Sequence, residues 1–186
     1  MVKKITLALV ALVFAGVICF ADEATDAVVG SVEKVDTGSK TMTVKTADGT
    51  EDTFKYTENT TVTGTKDAAK ASDLAGKSGY HFVIHYTKVG SDKVATGMDY
   101  AGQGSWKATK GTVVGVDDAA KTVSVKTADG TVATYHVADH CTVDTGKGIA
   151  KAGSATGESV AKGSEVTVHY TEEGGKKVAH FFKKLG

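Results

Sequence analysis

The sequence predicts an all-β protein: two tandem small OB-like β-barrels of five to six strands each, preceded by a signal peptide. Three observations carry this. Residues 44–50, Val-Lys-Thr-Ala-Asp-Gly-Thr, return unchanged as residues 125–131, a shift of 81. Apolar and polar side chains alternate on either side of both copies, the period of strands whose two faces differ. Proline is absent while threonine, valine and glycine abound, a composition suited to pleated, half-buried surface.

Taken from the start, Lys3 and Lys4 precede an apolar run from Ile5 to Phe20 that holds no charge, the n- and h-regions of a secretory signal. Cys19, Phe20 and Ala21 then form a small-x-small exit, so residues 1–21 are predicted to be removed and the mature chain to begin at Asp22, periplasmic or secreted and free of the membrane. The first barrel is expected over residues 22–100. In it Met42, Val44 and Thr46 face opposite to Thr41, Thr43 and Lys45, and Phe82, Ile84 and Tyr86 opposite to His81, Val83 and His85. Asp48-Gly49 lies between two such runs and is read as a tight hairpin turn that needs positive φ angles. Ala68, Ala71 and Leu74 recur at helical spacing, so a short helix or loop plug is expected there. Residues 101–106, Ala-Gly-Gln-Gly-Ser-Trp, are expected to be a glycine-rich hinge, with Trp106 placed to pack between the copies.

The second barrel, residues 107–186, repeats the first. Gly30 pairs with Gly111, Val32 with Val113, Phe54 with Tyr135 and Val62 with Val143; after a three-residue insertion, His85-Tyr86-Thr87 pairs with His169-Tyr170-Thr171. The counterpart of the plug, residues 149–160, is small and glycine-rich. A copy of this length is near the lower limit for a sufficient core, and closing its sheet removes the edges through which it would aggregate.

The turn and core pattern, Gly-x-Val-x-x-Val-Asp followed by Lys-Thr-x-x-Val-Lys-Thr-Ala-Asp-Gly-Thr and then Asp73-Leu74, resembles exported bacterial β-barrel domains of unknown function. The resemblance implies a fold and an envelope location but no active site, and the second copy departs from it with Ser159-Val160 in place of Asp73-Leu74. Periplasmic copper-carrying OB barrels are similar in barrel size alone. They use methionine pairs beside a tryptophan, and Met42, Met98 and Trp106 show no such grouping.

Charge excludes one class of function. With Lys3 and Lys4 removed, 20 basic residues face 22 acidic ones and there is no arginine, so neither a basic face for phosphates nor a guanidinium fork exists. No nucleic-acid partner is expected. Cys141 is left as the lone cysteine of the mature chain, so no internal disulfide is available, and a half-buried thiol is its expected role. Gly76-Lys77-Ser78 imitates the end of a phosphate loop, but Ala71 stands where its first glycine belongs, and a turn is expected instead.

His136, His140 and Cys141 are the predicted metal set, since imidazole and thiolate suit copper or zinc. Lys55, Asn59 and Thr60 occupy the matching places in the first copy, so the shared scaffold does not build that site. His169 is expected on a solvated face with Glu165 and Thr167. No nucleophile, base and orienting group converge, so no enzyme activity and no resident cofactor are expected. Asp36, Asp117, Asp48 and Asp129 are read as turn caps, and Tyr56, Tyr80, Tyr86 and Tyr100 as core rather than glycan platforms. The resulting expectation is a non-enzymatic exported binding or structural module with a protein or glycan partner in the cell envelope. The alternative is a periplasmic copper- or zinc-binding protein using His136, His140 and Cys141.

Overall fold

The computed structural model describes residues 24–152 and 160–186. The predicted signal segment and most of the second plug lie outside the described residues. In the first barrel, β1 (Asp26–Asp36), β2 (Thr41–Thr46), β3 (Glu51–Thr63), β4 (Tyr80–Val89) and β5 (Asp92–Gln103) close in the order β1-β2-β3-β5-β4. Every pairing is antiparallel except β3 with β5. The second half has β6 (Lys107–Asp117), β7 (Thr122–Lys126), β8 (Val132–Asp144), β9 (Ile149–Lys151), β10 (Glu165–Glu173) and β11 (Lys176–Lys184). Its sheet runs β11-β10-β6-β7-β8, and a parallel β8–β11 pairing joins the ends, with the short β9 added outside β8. Both halves therefore have the strand order of an OB-type barrel.

Closure depends on β1 and β6, each of which pairs on both sides. The start of β1 runs along β4 and its end along β2, with a bulge between Val32 and Lys34; β6 bulges between Val113 and Gly115. A bulge bends and twists a strand sharply, which lets one strand turn the corner of a small barrel. Glycine is required where the strands press closest. A Cβ on Gly30 would lie 2.5 Å from Val44 Cγ1 and 2.6 Å from the Lys45 carbonyl oxygen.

The turns follow their side chains. Asp36 accepts from the amides of Gly38 and Ser39, and Asp117 from that of Ala120. Asp48 and Asp129 accept from the amides of Thr50 and Thr131. The expected hairpin turn is altered in one respect: only the glycine takes positive φ, at 88° in Gly49 and 87° in Gly130. The Gly49 amide reaches the Thr46 carbonyl and the Thr46 amide the Thr50 carbonyl, a three-residue loop with a bulged glycine. Such a loop needs left-handed φ only at its last residue, so Asp48 keeps an ordinary φ while its carboxylate caps the Thr50 amide. The expected plug is a single 3₁₀ turn, Ala71–Leu74, with Ala71 and Leu74 buried.

Inward-facing residues fill each barrel. Met42, Val44, Phe54, Phe82, Ile84 and Met98 are core in the first, and Val113, Val125, Tyr135, Val143, Val168 and Phe182 in the second. Phe54 packs edge-on against Tyr86 at 5.3 Å, and Tyr135 likewise against Tyr170 at 5.0 Å. The Tyr135 hydroxyl is buried without a hydrogen-bond partner. Phe54 fills the matching place in the first barrel without a hydroxyl, so Tyr135→Phe should stabilise the protein by about 1 kcal/mol, the desolvation cost of an orphaned hydroxyl. Calorimetry should show the melting temperature rising by about 4 °C. A fall would mean that the hydroxyl has a partner.

The predicted hinge is shorter than residues 101–106. Strand β5 continues through Gln103, which pairs with Tyr80, and Ala101 is buried, so only residues 104–106 link the barrels. Composition alone suggested a loose segment; the ladder offered by β4 holds its first half as strand.

Trp106 then enters a third apolar cluster with Ala27 and Val29 of β1, Val83 of β4, Phe181 of β11 and Ile149 of β9. Val83 faces away from the first core yet is 1% exposed, because the second barrel covers it. The expectation for His169 is corrected here. Glu165 on its face is exposed, but the His169 end is partly covered: the ring lies 6.4 Å from that of Trp106 and 5.7 Å from that of Phe181. Alternation along one strand cannot reveal that a neighbouring barrel caps the outer face. Among the described residues, no helix is long and apolar enough to cross a membrane.

Candidate functional site

A cleft of about 570 Å³ opens where the two barrels meet. The first barrel lines it with Thr61 and Thr63 of β3, His85 of β4 and residues 96–99 of β5; the second contributes Asp139, His140 and Thr142 of β8 and Lys151 of β9. Its centre is a carboxylate–imidazole pair. His85 Nε2 lies 2.7 Å from Asp99 Oδ2, and the Thr63 hydroxyl donates to Asp99 Oδ1. Strand register brings them together. In the β4–β5 hairpin Val83 opposes Asp99 and His85 opposes Gly97, so His85 and Asp99 are diagonal neighbours on one face. Thr63 opposes Asp99 on the other side, across the parallel β3–β5 pair.

Both side chains of the pair are largely shielded, with 12% of His85 and 19% of Asp99 exposed. Burial pushes the Asp99 carboxyl up, but the hydrogen bonds from His85 and Thr63, helped by the His85 and His140 charges, outweigh it and hold it below its ordinary 3.8. The carboxylate is thus ionised at neutral pH and fixes which imidazole nitrogen of His85 stays available. Gly97 lies between His85 and Asp99 on the floor, where a Cβ would make only ordinary contact with the Thr61 hydroxyl at 3.7 Å.

The structure separates the predicted metal set. Cys141 is 1% exposed inside the second core, where burial and the nearby Asp99 charge push its thiol far above the ordinary value. Such a thiol stays protonated, whereas a metal ligand must be a thiolate. His140, its neighbour in the chain, projects the other way into the cleft. His136 sits on β8 opposite Thr122 and Val178, about 13 Å from His140 along the strand. Among the described residues, no three histidine, cysteine or acidic side chains are grouped to hold a metal ion. The sequence reading missed the His85–Asp99 pair. Aligning the hairpin about Gly90 would have paired His85 with Thr96 and put Asp99 on the opposite face; the bulge between His85 and Tyr86 shifts the count by one and brings the two together.

Fold and cleft together define a class: an all-β protein of two OB-like barrels with a cleft between them lined by both polar side chains and apolar surface. No family model and no curated protein match the chain. Among solved structures it is similar to "Crystal structure of Ag(I)CusF", with 11% identity over 44% of this chain and 100% of that one and a TM-score of 0.34. It is also similar to CusF-Ag(I) residues 10-88 from Escherichia coli, with 12% identity over 42% of this chain and 96% of that one and a TM-score of 0.29.

Proposed function

We propose that this protein is an exported, non-enzymatic binding module whose ligand, a small polar molecule of the saccharide type, seats in the cleft between its barrels. The observation that carries the reading is the His85–Asp99 pair, braced by Thr63 and facing His140 of the other barrel across the cleft. Preorganised hydrogen-bonding groups in a cleft of ligand size, within the usual range of roughly 300–1,000 Å³, are what small-molecule recognition needs. Threonine hydroxyls, carboxylates and imidazoles offer both donors and acceptors to a hydroxylated ligand. Catalysis is disfavoured by the direction of the bonds. Thr63 and His85 both engage Asp99, so no hydroxyl is paired with the imidazole for activation.

The test is amide chemical-shift mapping of the mature protein with a panel of mono- and disaccharides. Shifts should concentrate at Gly97, Asp99 and His140, and Asp99→Asn should weaken binding by about tenfold or more, the loss of one charge-assisted hydrogen bond. If no saccharide moves these amides, or if Asp99→Asn binds equally well, the reading is wrong.

A second reading, a periplasmic copper- or zinc-binding protein, has one observation in its favour: His85 and His140 reach the same cleft from different barrels. The set His136, His140 and Cys141 does not serve it, since Cys141 is core. Stoichiometric zinc or copper(I) binding that is lost in His140→Ala and kept in Cys141→Ser would support it; no uptake by the mature protein would remove it.

A further inference from the structure

We propose that the docking of the two barrels is acid-labile: protonation of histidines packed around Trp106 separates the barrels and opens the cleft, while each barrel stays folded. Three imidazoles from both barrels surround that one indole. Its ring lies 5.3 Å from His180 of β11, 5.8 Å from His81 of β4 and 6.4 Å from His169 of β10. Apolar side chains pack with the indole, Ala27, Val29, Val83 and Phe181. Both Trp106 Nε1 and His169 Nδ1 are buried there without a hydrogen-bond partner.

His169 carries the argument furthest. Its strand neighbours Val168 and Tyr170 point into the second core, so His169 points outward, where it lies half-buried beneath Trp106 and beside Phe181 of the joint. A neutral imidazole packs there as an aromatic ring; an imidazolium would carry a charge into a joint that offers its Nδ1 no acceptor. The charges facing it are unhelpful. Lys183 of β11 is repulsive, and the residue opposite His169 on β6 is the uncharged Ala108. Around His180, Thr171 bonds Nε2 at 2.8 Å and Glu173 lies at 3.9 Å, with Asp99 and Tyr100 of β5 and Asp139 and His140 of β8 around the same small cavity. His81 faces Glu33 of β1 and the Gly104 backbone.

Burial holds His169 down to about 4 from its ordinary 6.5, with Lys183 adding to the effect. It also holds His81 and His180 below 6.5 despite Glu33 and Glu173. A base whose pKa is lowered by docking binds fewer protons when docked. Docking is therefore at full strength above about pH 6.5 and weakens as the pH falls toward 4. His169 alone would weaken it by about 30-fold at pH 5.

The experiment uses the mature protein without ligand, so its outcome is independent of the cleft reading. Small-angle scattering and the emission maximum of the single tryptophan, Trp106, are followed from pH 8 to 4, with far-ultraviolet circular dichroism reporting barrel integrity. The maximum dimension should grow and the emission shift to the red between pH 6.5 and 4 at constant dichroism. His169→Gln should move that midpoint to lower pH by at least half a unit; should it fail to fold, His81→Gln gives the same reading from the other barrel. Unchanged scattering down to pH 4, loss of dichroism together with the expansion, or a midpoint indifferent to the folded variant would each overturn the proposal.

Discussion

Phe54→Ala is expected to destabilise the first barrel by about 4 kcal/mol. The ring is fully buried in a core of few large residues, packed edge-on against Tyr86, with the Lys93 ammonium 5.6 Å above it. Its backbone is ladder-bonded opposite Met42, so the chain cannot draw in to fill the void. Barrels of this size have a margin of only about 5–10 kcal/mol, so the loss consumes most of it. Urea denaturation with amide-exchange mapping should show protection falling across β1–β5 while β6–β11 keep most of theirs. A loss below about 1 kcal/mol would contradict the packing described for this core.

Gly111→Val is expected to cost about 3 kcal/mol, and more if the β6–β7 pair separates. A Cβ at that position would run into the Lys126 carbonyl oxygen, with Val125 Cγ1 at 2.7 Å and the Lys126 carbonyl carbon at 2.9 Å. Two of these three obstacles are backbone, and the backbone is held by the pairing of Thr112 with Lys126 and Val113 with Val125. Gly115→Ala is the control: its nearest neighbour would be Ser124 Cβ at 3.8 Å, so it should stay within about 1 kcal/mol of wild type. Equal melting temperatures for the two variants would show that β6 does not cross β7 so closely.

Much of the architecture was legible because it rests on short-range rules. The alternation through Met42, Val44 and Thr46 assigned the buried face of β2, since successive side chains of a strand point oppositely. The aspartates at 36, 48, 117 and 129 marked turns because a carboxylate two or three residues before an amide can cap it. Gly30 and Gly111 were visible as matched positions, but their reason, a strand crossing, was not.

The candidate site was legible in fragments. His140 was singled out and does line the cleft, though beside His85 and Asp99 instead of Cys141. Adjacent residues on a strand face opposite ways, and that separates His140 from Cys141. His85 was noted as an outward strand position and as the partner of His169 in the repeat, without its carboxylate. In the folded protein His85 bonds Asp99, while His169 packs on Trp106, so equal places in the two copies meet unlike surroundings.

Local periodicity, turn chemistry and the repeated segment were enough to establish an all-β chain, its hairpins and the inward face of its strands, because each depends on neighbours a few residues apart. Which outward faces are dry, and which polar groups converge, depended on contacts between residues far apart in the chain. Val83 and His169 alternate correctly to the outside and are nonetheless covered, since the three-residue link from Gly104 to Trp106 lays one barrel against the other. That packing, a burial of apolar surface between two units and not within either, is what creates the cleft.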